Sequence, residues 1–354
     1  MIRLSFFCVL VIGACSLNGC KGGDPKPQGE DFDRAGMLEN LAKNIVGPSY
    51  ASFEGALVDL QTALDAYRLD DSEGNVIALR DAFGQAYIAW QSCSPHEFGP
   101  AANLGFRLTV NTFPCDTARV HVLLSSESYD LKLATNAAAK GFPALDFILY
   151  KLNDARWAEP SVQAFIQANI DLIHDDLHAI QSEWNETYRD EFETNLGSDV
   201  GSALGTLVNA VNQDFELLKN ANVGIPLGKK TLGETQAEKV EALYSGQSIP
   251  LLIFRLQAIK NVFEGGVGLG IDDQLDALGA SYGEESLSKA ITLGFDDAIE
   301  AAQLIDGSLH DAILDSPSDV ENLHSKLQHL VVLLKTDMPS QLGVQITYQD
   351  NDGD

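Results

Sequence analysis

Apolar residues return along this chain at alternating steps of three and four, the spacing that lines one face of an α-helix. Phe53, Leu57, Leu60, Leu64 and Tyr67 form one such stripe, and Val76, Leu79, Phe83, Ala86 and Trp90 the next. The period recurs in Val162, Ile166, Ile170, Ile173, Leu177, Ile180 and Trp184, and in Val200, Leu204, Leu207, Val211, Phe215 and Leu218. Farther on it runs through Ile249, Leu252, Leu256, Ile259 and Phe263, through Leu287, Ile291, Phe295, Ala298, Ala302 and Ile305, and through Val320, Leu323, Leu327, Leu330 and Leu334. Single stripes are buried only against one another, so the spacing predicts an all-α chain of two antiparallel helical bundles. Two-residue alternation is confined to Val344-Gln345-Ile346-Thr347-Tyr348, which leaves minor or no sheet.

Breaks in the pattern fall at Gly47-Pro48, Asp70 to Asn75, His96 to Pro100, Gly141 to Pro143, Asn195 to Ser198, Asn222 to Thr235 and Gly265 to Gly270. They divide the chain near residue 195, into one bundle over 35–195 and a second over 196–354. Phe106-Arg107-Leu108 and Phe254-Arg255-Leu256 sit at comparable places in the two halves, a faint sign of an internal repeat. Ser316-Pro317 reads as an N-cap followed by a first-turn proline, with Asp319 near the positive helix end.

Twenty-three Lys and Arg against 51 Asp and Glu give a net charge of −28, which disfavours nucleic acid as a partner because no basic face is available to phosphates. With 45% hydrophobic and 21% charged residues, the chain is nonetheless too apolar for an acidic disordered protein. Arg3 precedes an apolar run from Leu4 to Cys15, the length of a signal-peptide core and too short to span a bilayer. The run ends in Leu17-Asn18-Gly19-Cys20, which resembles the lipobox of bacterial lipoproteins. Residues 1–19 are then a signal peptide and Cys20 carries the lipid that holds the protein to a membrane. A Gly- and Pro-rich tether follows over 20–34. Lys21 is not the Asp that retains lipoproteins in the inner membrane, which favours the outer membrane without fixing the side it faces.

Cys93 and Cys115 remain for the folded part. In an oxidising compartment they either form a disulfide, closing a loop of about 20 residues and stabilising by roughly 3 kcal/mol, or stay buried as free thiols. His174 and His178, at i and i+4 on one helix, have the spacing of a zinc-protease pair, but they lie on the polar shoulder of their stripe. The Gly265-Gly266-Val267-Gly268-Leu269-Gly270 run lacks the flanking strand and the Lys-Ser or Lys-Thr of a phosphate loop and reads as an interhelical connection. Asp350-Asn351-Asp352-Gly353-Asp354 opens like a calcium loop but stops before its distal Glu. No Gly-x-Ser-x-Gly is present.

The stretch Lys140-Gly141-Phe142-Pro143-Ala144-Leu145-Asp146-Phe147-Ile148-Leu149-Tyr150 resembles the imelysin family, helical cell-envelope proteins marked by Gly-x-His-x-x-Glu followed by an apolar helix. Further likenesses lie at Ala89-Trp90-Gln91, Phe98-Gly99-Pro100, Asn111 to Asp116, Glu241 to Ser248, and Val262-Phe263-Glu264-Gly265. The resemblance implies two bundles with a site between them. It also implies a role in iron acquisition, with iron or haem as ligand, and for part of the family a metallopeptidase activity. Here Pro143 replaces the motif's His and Asp146 its Glu, so a metal site built on the motif lacks one ligand and has another shortened. Peptidase activity is thereby disfavoured. Asp146, Gly141, Pro143, Trp90, Tyr244, Ser245 and Ser248 are the candidate lining of a ligand pocket between the bundles, unless Asp146 caps its own helix and Trp90 and Tyr244 are core. The alternatives are a metallopeptidase recruiting His96 or the His174 and His178 pair, and an interaction module docking to an outer-membrane transporter.

Overall fold

The computed structural model describes residues 32–153 and 156–348. The expected signal peptide, Cys20, all but the last residues of the tether, and the Asp350–Asp354 tail lie outside the described residues. The first half runs α1 (Arg34–Asn40), α2 (Gly47–Leu69), α3 (Glu73–Cys93), α4 (Pro100–Leu104), α5 (Phe106–Val110), α6 (Thr117–Leu124), α7 (Gly141–Tyr150), α8 (Pro160–Glu183) and α9 (Arg189–Thr194). The second runs α10 (Ala203–Leu217), α11 (Ser248–Glu264), α12 (Ile271–Ala277), α13 (Leu287–Gln303), α14 (Leu309–Asp315), α15 (Pro317–Val332) and α16 (Met338–Leu342). In each half two rods are continued through a π-helical turn: Leu41–Val46 joins α1 to α2 and Trp184–Tyr188 joins α8 to α9, while Leu218–Gly224 extends α10 and Leu333–Asp337 joins α15 to α16.

The stripes bury as their spacing requires. α2 lays its stripe on α3 and on α8, and α13 packs between α11 and α15. α11 also packs along α3, which joins the halves through one continuous core. At the centre of the first half Phe142 stacks on Tyr87, ring centroids 4.6 Å apart, and meets Phe53 and Phe83 at 6.0 and 5.9 Å. Trp90 stands edge-on to Phe106 at 5.3 Å in the same cluster and is fully buried, so it belongs to the core.

Several expectations are corrected and others are met. Gly47-Pro48 does not break the chain: the π turn sends the Gly47 N–H to Ala42 O, and Pro48 falls in the next rod's first turn, where a missing N–H is tolerated. Val200 is exposed and precedes α10. Ser316 occupies the N-cap of α15 without a side-chain capping bond. The 344–347 stretch finds no strand partner, and Thr347 N–H instead donates to Asn209 Oδ1 at 2.7 Å. The sheet is a two-stranded hairpin, β1 (Ser281–Tyr282) against β2 (Glu285–Ser286), turned by Gly283 at φ +63°. Gly265–Gly270 is an interhelical loop, pinned by Asn40 Nδ2 donating to Gly265 O and Leu269 O at 2.8 and 2.9 Å. Cys93 and Cys115 are both free. Cys93 is buried at the end of α3, its thiol on Ser49 O, whereas Cys115 lines a cleft beside Asp146.

Phe142→Ala is expected to lower stability by about 3–5 kcal/mol in urea denaturation, the range for emptying a buried aromatic site. Leu69→Ala, at a residue 90% exposed, is the matched control and should change stability by less than about 0.5 kcal/mol.

Candidate functional site

The altered motif opens α7 where glycine is obligatory. Gly141 sits at φ +69°, and a Cβ there would lie 2.3 Å from Val110 O and 2.5 Å from Thr109 O. Its N–H donates to the buried Asn169 Oδ1 at 2.7 Å, which docks the start of α7 onto α8. Pro143 occupies the first turn, and Asp146, one turn on, is 1% exposed. The Asp146 carboxylate does not cap its own helix. It reaches into the second half and accepts the N–H groups of Tyr244 and Ser245 at 2.9 and 3.0 Å, stapling the loop before α11 onto α7. Burial pushes this carboxyl above the usual carboxylate range against those hydrogen bonds, and Glu241 adds to the rise.

Pro143, Asp146 and Tyr244 share one wall of a cleft of about 40 Å³ with Cys115 and Glu238, room for a few waters. Burial, with Asp146 and Asp116 nearby, raises the Cys115 thiol to about 12, which leaves little thiolate at neutral pH. The other candidates do not line the cleft. Trp90 is core, Gly141 is covered by carbonyls, and Ser245 supplies a backbone N–H. The Ser248 hydroxyl donates to Glu241 O at the start of α11.

The candidate histidines are not gathered there either. His178 is exposed and His174 half-buried on α8. His96 is fully buried beside Tyr50 and Phe98, with neither ring nitrogen hydrogen-bonded. Among the described residues no three His, Cys, Asp or Glu side chains are placed to hold a metal ion. A hydrolytic metal needs about three protein ligands. The cleft has Pro143 where an imidazole would stand and an Asp146 whose oxygens already accept two N–H bonds, so these residues do not fit one.

Behind the cleft lies a buried polar cluster that the sequence reading missed. Asp214 on α10 accepts Arg255 Nη2 and Arg107 Nη2, both at 2.6 Å, and Arg255 Nε at 3.0 Å. Ser94 donates its hydroxyl to the same carboxylate at 2.5 Å. Burial alone would raise the Asp214 carboxyl, but the two guanidinium groups outweigh it and bring it down to about 2. Next to this group Glu241 accepts Gln91 Nε2 at 3.0 Å, Asn111 Nδ2 at 2.6 Å and the amide of Asn222, while Arg255 Nη1 reaches Asn222 Oδ1 at 3.3 Å. The arginines that meet on Asp214 are those of the two Phe-Arg-Leu triplets. A second signal is positional: Asp214 falls between Val211 and Leu218, and Arg255 between Leu252 and Ile259, at spacings that belong to the apolar stripe.

Removing Asp214 would leave the buried Arg255 guanidinium and the partly buried Arg107 one without their anion, so Asp214→Ala is expected to cost about 3–5 kcal/mol in chemical denaturation. The pH dependence has two limbs. Burial lowers His96 to about 4, below the ordinary 6.5 of an unfolded chain. Its neutral form therefore contributes stability that is complete above pH 6.5 and lost as the pH falls through about 4. That loss is on the order of 3 kcal/mol and should vanish in His96→Phe. Asp214, also lowered, contributes stability present above its unfolded value and lost farther down, toward pH 2. Thermal melts from pH 7 to pH 2 read both limbs.

The comparisons with known proteins agree with this architecture. The family model of imelysin, the peptidase M75 group, matches residues 46–336. A solved imelysin-like protein from Psychrobacter arcticum superposes with a TM-score of 0.71 at 19% identity, over 89% of this chain and 97% of that one. A protein from Parabacteroides distasonis described as an iron-regulated protein A precursor gives 0.73 at 14% identity, over 91% and 97%. Iron-regulated protein A of Synechococcus elongatus is 27% identical over 118 residues, a match that spans 32% of this chain and 31% of that protein. With the family's pattern running unbroken across most of both halves, this chain belongs to the imelysin family.

Proposed function

We propose that this chain is a lipid-anchored protein of the cell envelope that serves iron acquisition by binding and has no peptidase activity. The observation that carries the reading is the engagement of Asp146: the acidic position of the family motif is spent on two backbone N–H bonds that join the halves, and Pro143 offers no ligating atom beside it. The same place that would organise a metal-bound water in a hydrolase here organises a loop. Two relatives described as iron-regulated protein A support the link to iron, one of them named as a precursor, which fits an exported protein. The lipobox ending at Cys20 supports anchoring at the outer membrane. No described helix is long and apolar enough to cross a membrane, which fits attachment through lipid.

The cleft beside Asp146 is far below the roughly 300–1,000 Å³ of small-molecule sites, so it does not take haem. Asp146 and Glu238 are its acidic groups, and no basic residue lines it. Calorimetric titration of the dialysed chain, begun at Cys20 with that residue replaced, tests the reading with Fe(III), Zn(II) and haem in parallel with a peptide-cleavage assay. Iron uptake without cleavage is the expected result. Zinc retained through dialysis together with cleavage lost in His174→Ala would replace binding by hydrolysis.

A further inference from the structure

Lysine is seldom covered by protein unless an anion or an acceptor holds its ammonium. Among the described residues two lysines are nearly covered, and they differ in this respect. Lys219 is 4% exposed and is held, its Nζ 3.2 Å from Gln328 Oε1 and 3.7 Å from Glu216 Oε2. Lys140 is 6% exposed, and among the described residues its ammonium makes neither a hydrogen bond nor an ion pair. Its Nζ is nonetheless not one of the sealed polar atoms of the interior, so a small molecule can reach it.

The backbone gives Lys140 a fixed origin. It is extended, at φ −141° and ψ 178°, between the 3₁₀ turn Ala134–Ala139 and Gly141, whose own N–H is locked onto Asn169 of α8. The charged groups that face the ammonium are Asp176 on α8, Asp130 in the loop after α6, and Lys132 in the same loop. Each anion already has a donor of its own. Asp176 Oδ2 accepts the Thr109 hydroxyl at 2.9 Å, and Asp130 Oδ1 accepts the Lys132 N–H at 2.8 Å. Burial pulls the Lys140 ammonium below the ordinary lysine range, and Asp176 and Asp130 oppose the fall without cancelling it. An amine in that condition is neutral more often than a solvated one, and the neutral amine is the nucleophile.

We propose that Lys140 is a nucleophilic amine that captures small aldehydes as imines. The ammonium first gives one proton to solvent. Its nitrogen then adds to the carbonyl carbon, the C–O bond breaks, and the oxygen leaves as water with the two remaining amine hydrogens as the C=N bond forms. No oxidant or reductant is consumed. The imine nitrogen takes a proton back, so the adduct keeps the positive charge that Asp176 and Asp130 face. Acylation would remove that charge, which is why the surroundings suit an aldehyde better than an acyl donor. Lys140 does not line the cleft beside Asp146, and the inference does not depend on the iron reading.

The test treats the chain begun at Cys20, with that residue replaced, at pH 7 with a limiting amount of acetaldehyde. Cyanoborohydride reduces each imine to a stable N-ethyl amine, and peptide mass spectrometry reads the label residue by residue. The exposed Lys132 and Lys151 are internal standards. Lys140 is expected to carry at least about threefold more label than either, an excess that disappears in denaturant. Asp176→Asn removes an anion that favours the ammonium, so in that variant the label at Lys140 should rise a further twofold or so, about, with Lys132 unchanged. Circular dichroism verifies that the variant is folded, and the comparison of native with denatured chain decides the matter if it is not. Label at Lys140 equal to or below that at Lys132 in the native chain, or no change in a folded Asp176→Asn variant, would overturn the proposal.

Discussion

Two arginines from opposite halves of the chain share the carboxylate of Asp214, and the rest of the molecule is arranged around that contact. Arg107 and Arg255 with Asp214 and Glu241 make a group of two cations and two anions, nearly all of it out of water. Such a group repays its desolvation only when every hydrogen bond is made. Ser94, Gln91, Asn111 and Asn222 supply the missing partners, and they come from the end of α3, from the residue after α5 and from the π turn after α10. Helices α3, α5, α10 and α11 are therefore held at one relative position. Apolar stripes alone would let them slide by a turn at small cost, because one Leu ridge fits a groove much as the next does. The charged group sets which groove is used.

That fixed interface explains why the cleft at Asp146 is small. The loop carrying Tyr244 and Ser245 is tied at one end to Glu241, inside the polar cluster, and at its middle to Asp146 on α7. A loop held at both places cannot swing away to admit a bulky ligand without breaking buried hydrogen bonds. The halves meet as a closed seam with a slot large enough for water, and a larger cleft opens elsewhere, between the α1–α2 and α8–α9 rods.

The helices were legible in the sequence because each buries one stripe, and a stripe is a one-dimensional signal. Phe53 to Tyr67 and Ile249 to Phe263 are read correctly for that reason. The π turns were not legible. They keep helical backbone angles and the residues on either side keep an apolar face, so Gly47-Pro48 passes for a break when it is the continuation of a rod. Val200 was misread because one apolar residue ahead of a helix extends the period without entering it. Gly141, Pro143, Asp146 and Tyr244 were found from the motif, but Asp146 had two readings, ligand and helix cap, and the structure gives it a third, a clamp on a loop some 98 residues away in sequence. Contacts of that range leave no local pattern. The polar cluster did leave one: a charge at a stripe position is either an error of period or a buried ion, and both Asp214 and Arg255 occupy such positions.

The two clefts differ in their charge pairing as well as size. In the slot at the seam, Asp146 stays above the ordinary carboxylate range although it accepts two N–H bonds, which shows that those bonds do not offset its burial beside Glu241. An anion in that condition gains from any cation that reaches it, and Glu238 at the mouth adds negative charge. At the other cleft Lys43 is paired with Glu39, and Arg189 lies within reach of Asp190 and Glu193, over the buried Tyr50 and Trp184. A chain of net charge −28 needs no special device to attract cations, since its whole surface does so. Lys43 and Arg189 stand on two different rods, each within or following a π turn, and each keeps a carboxylate in reach, so the acidic chain neutralises its own basic residues locally.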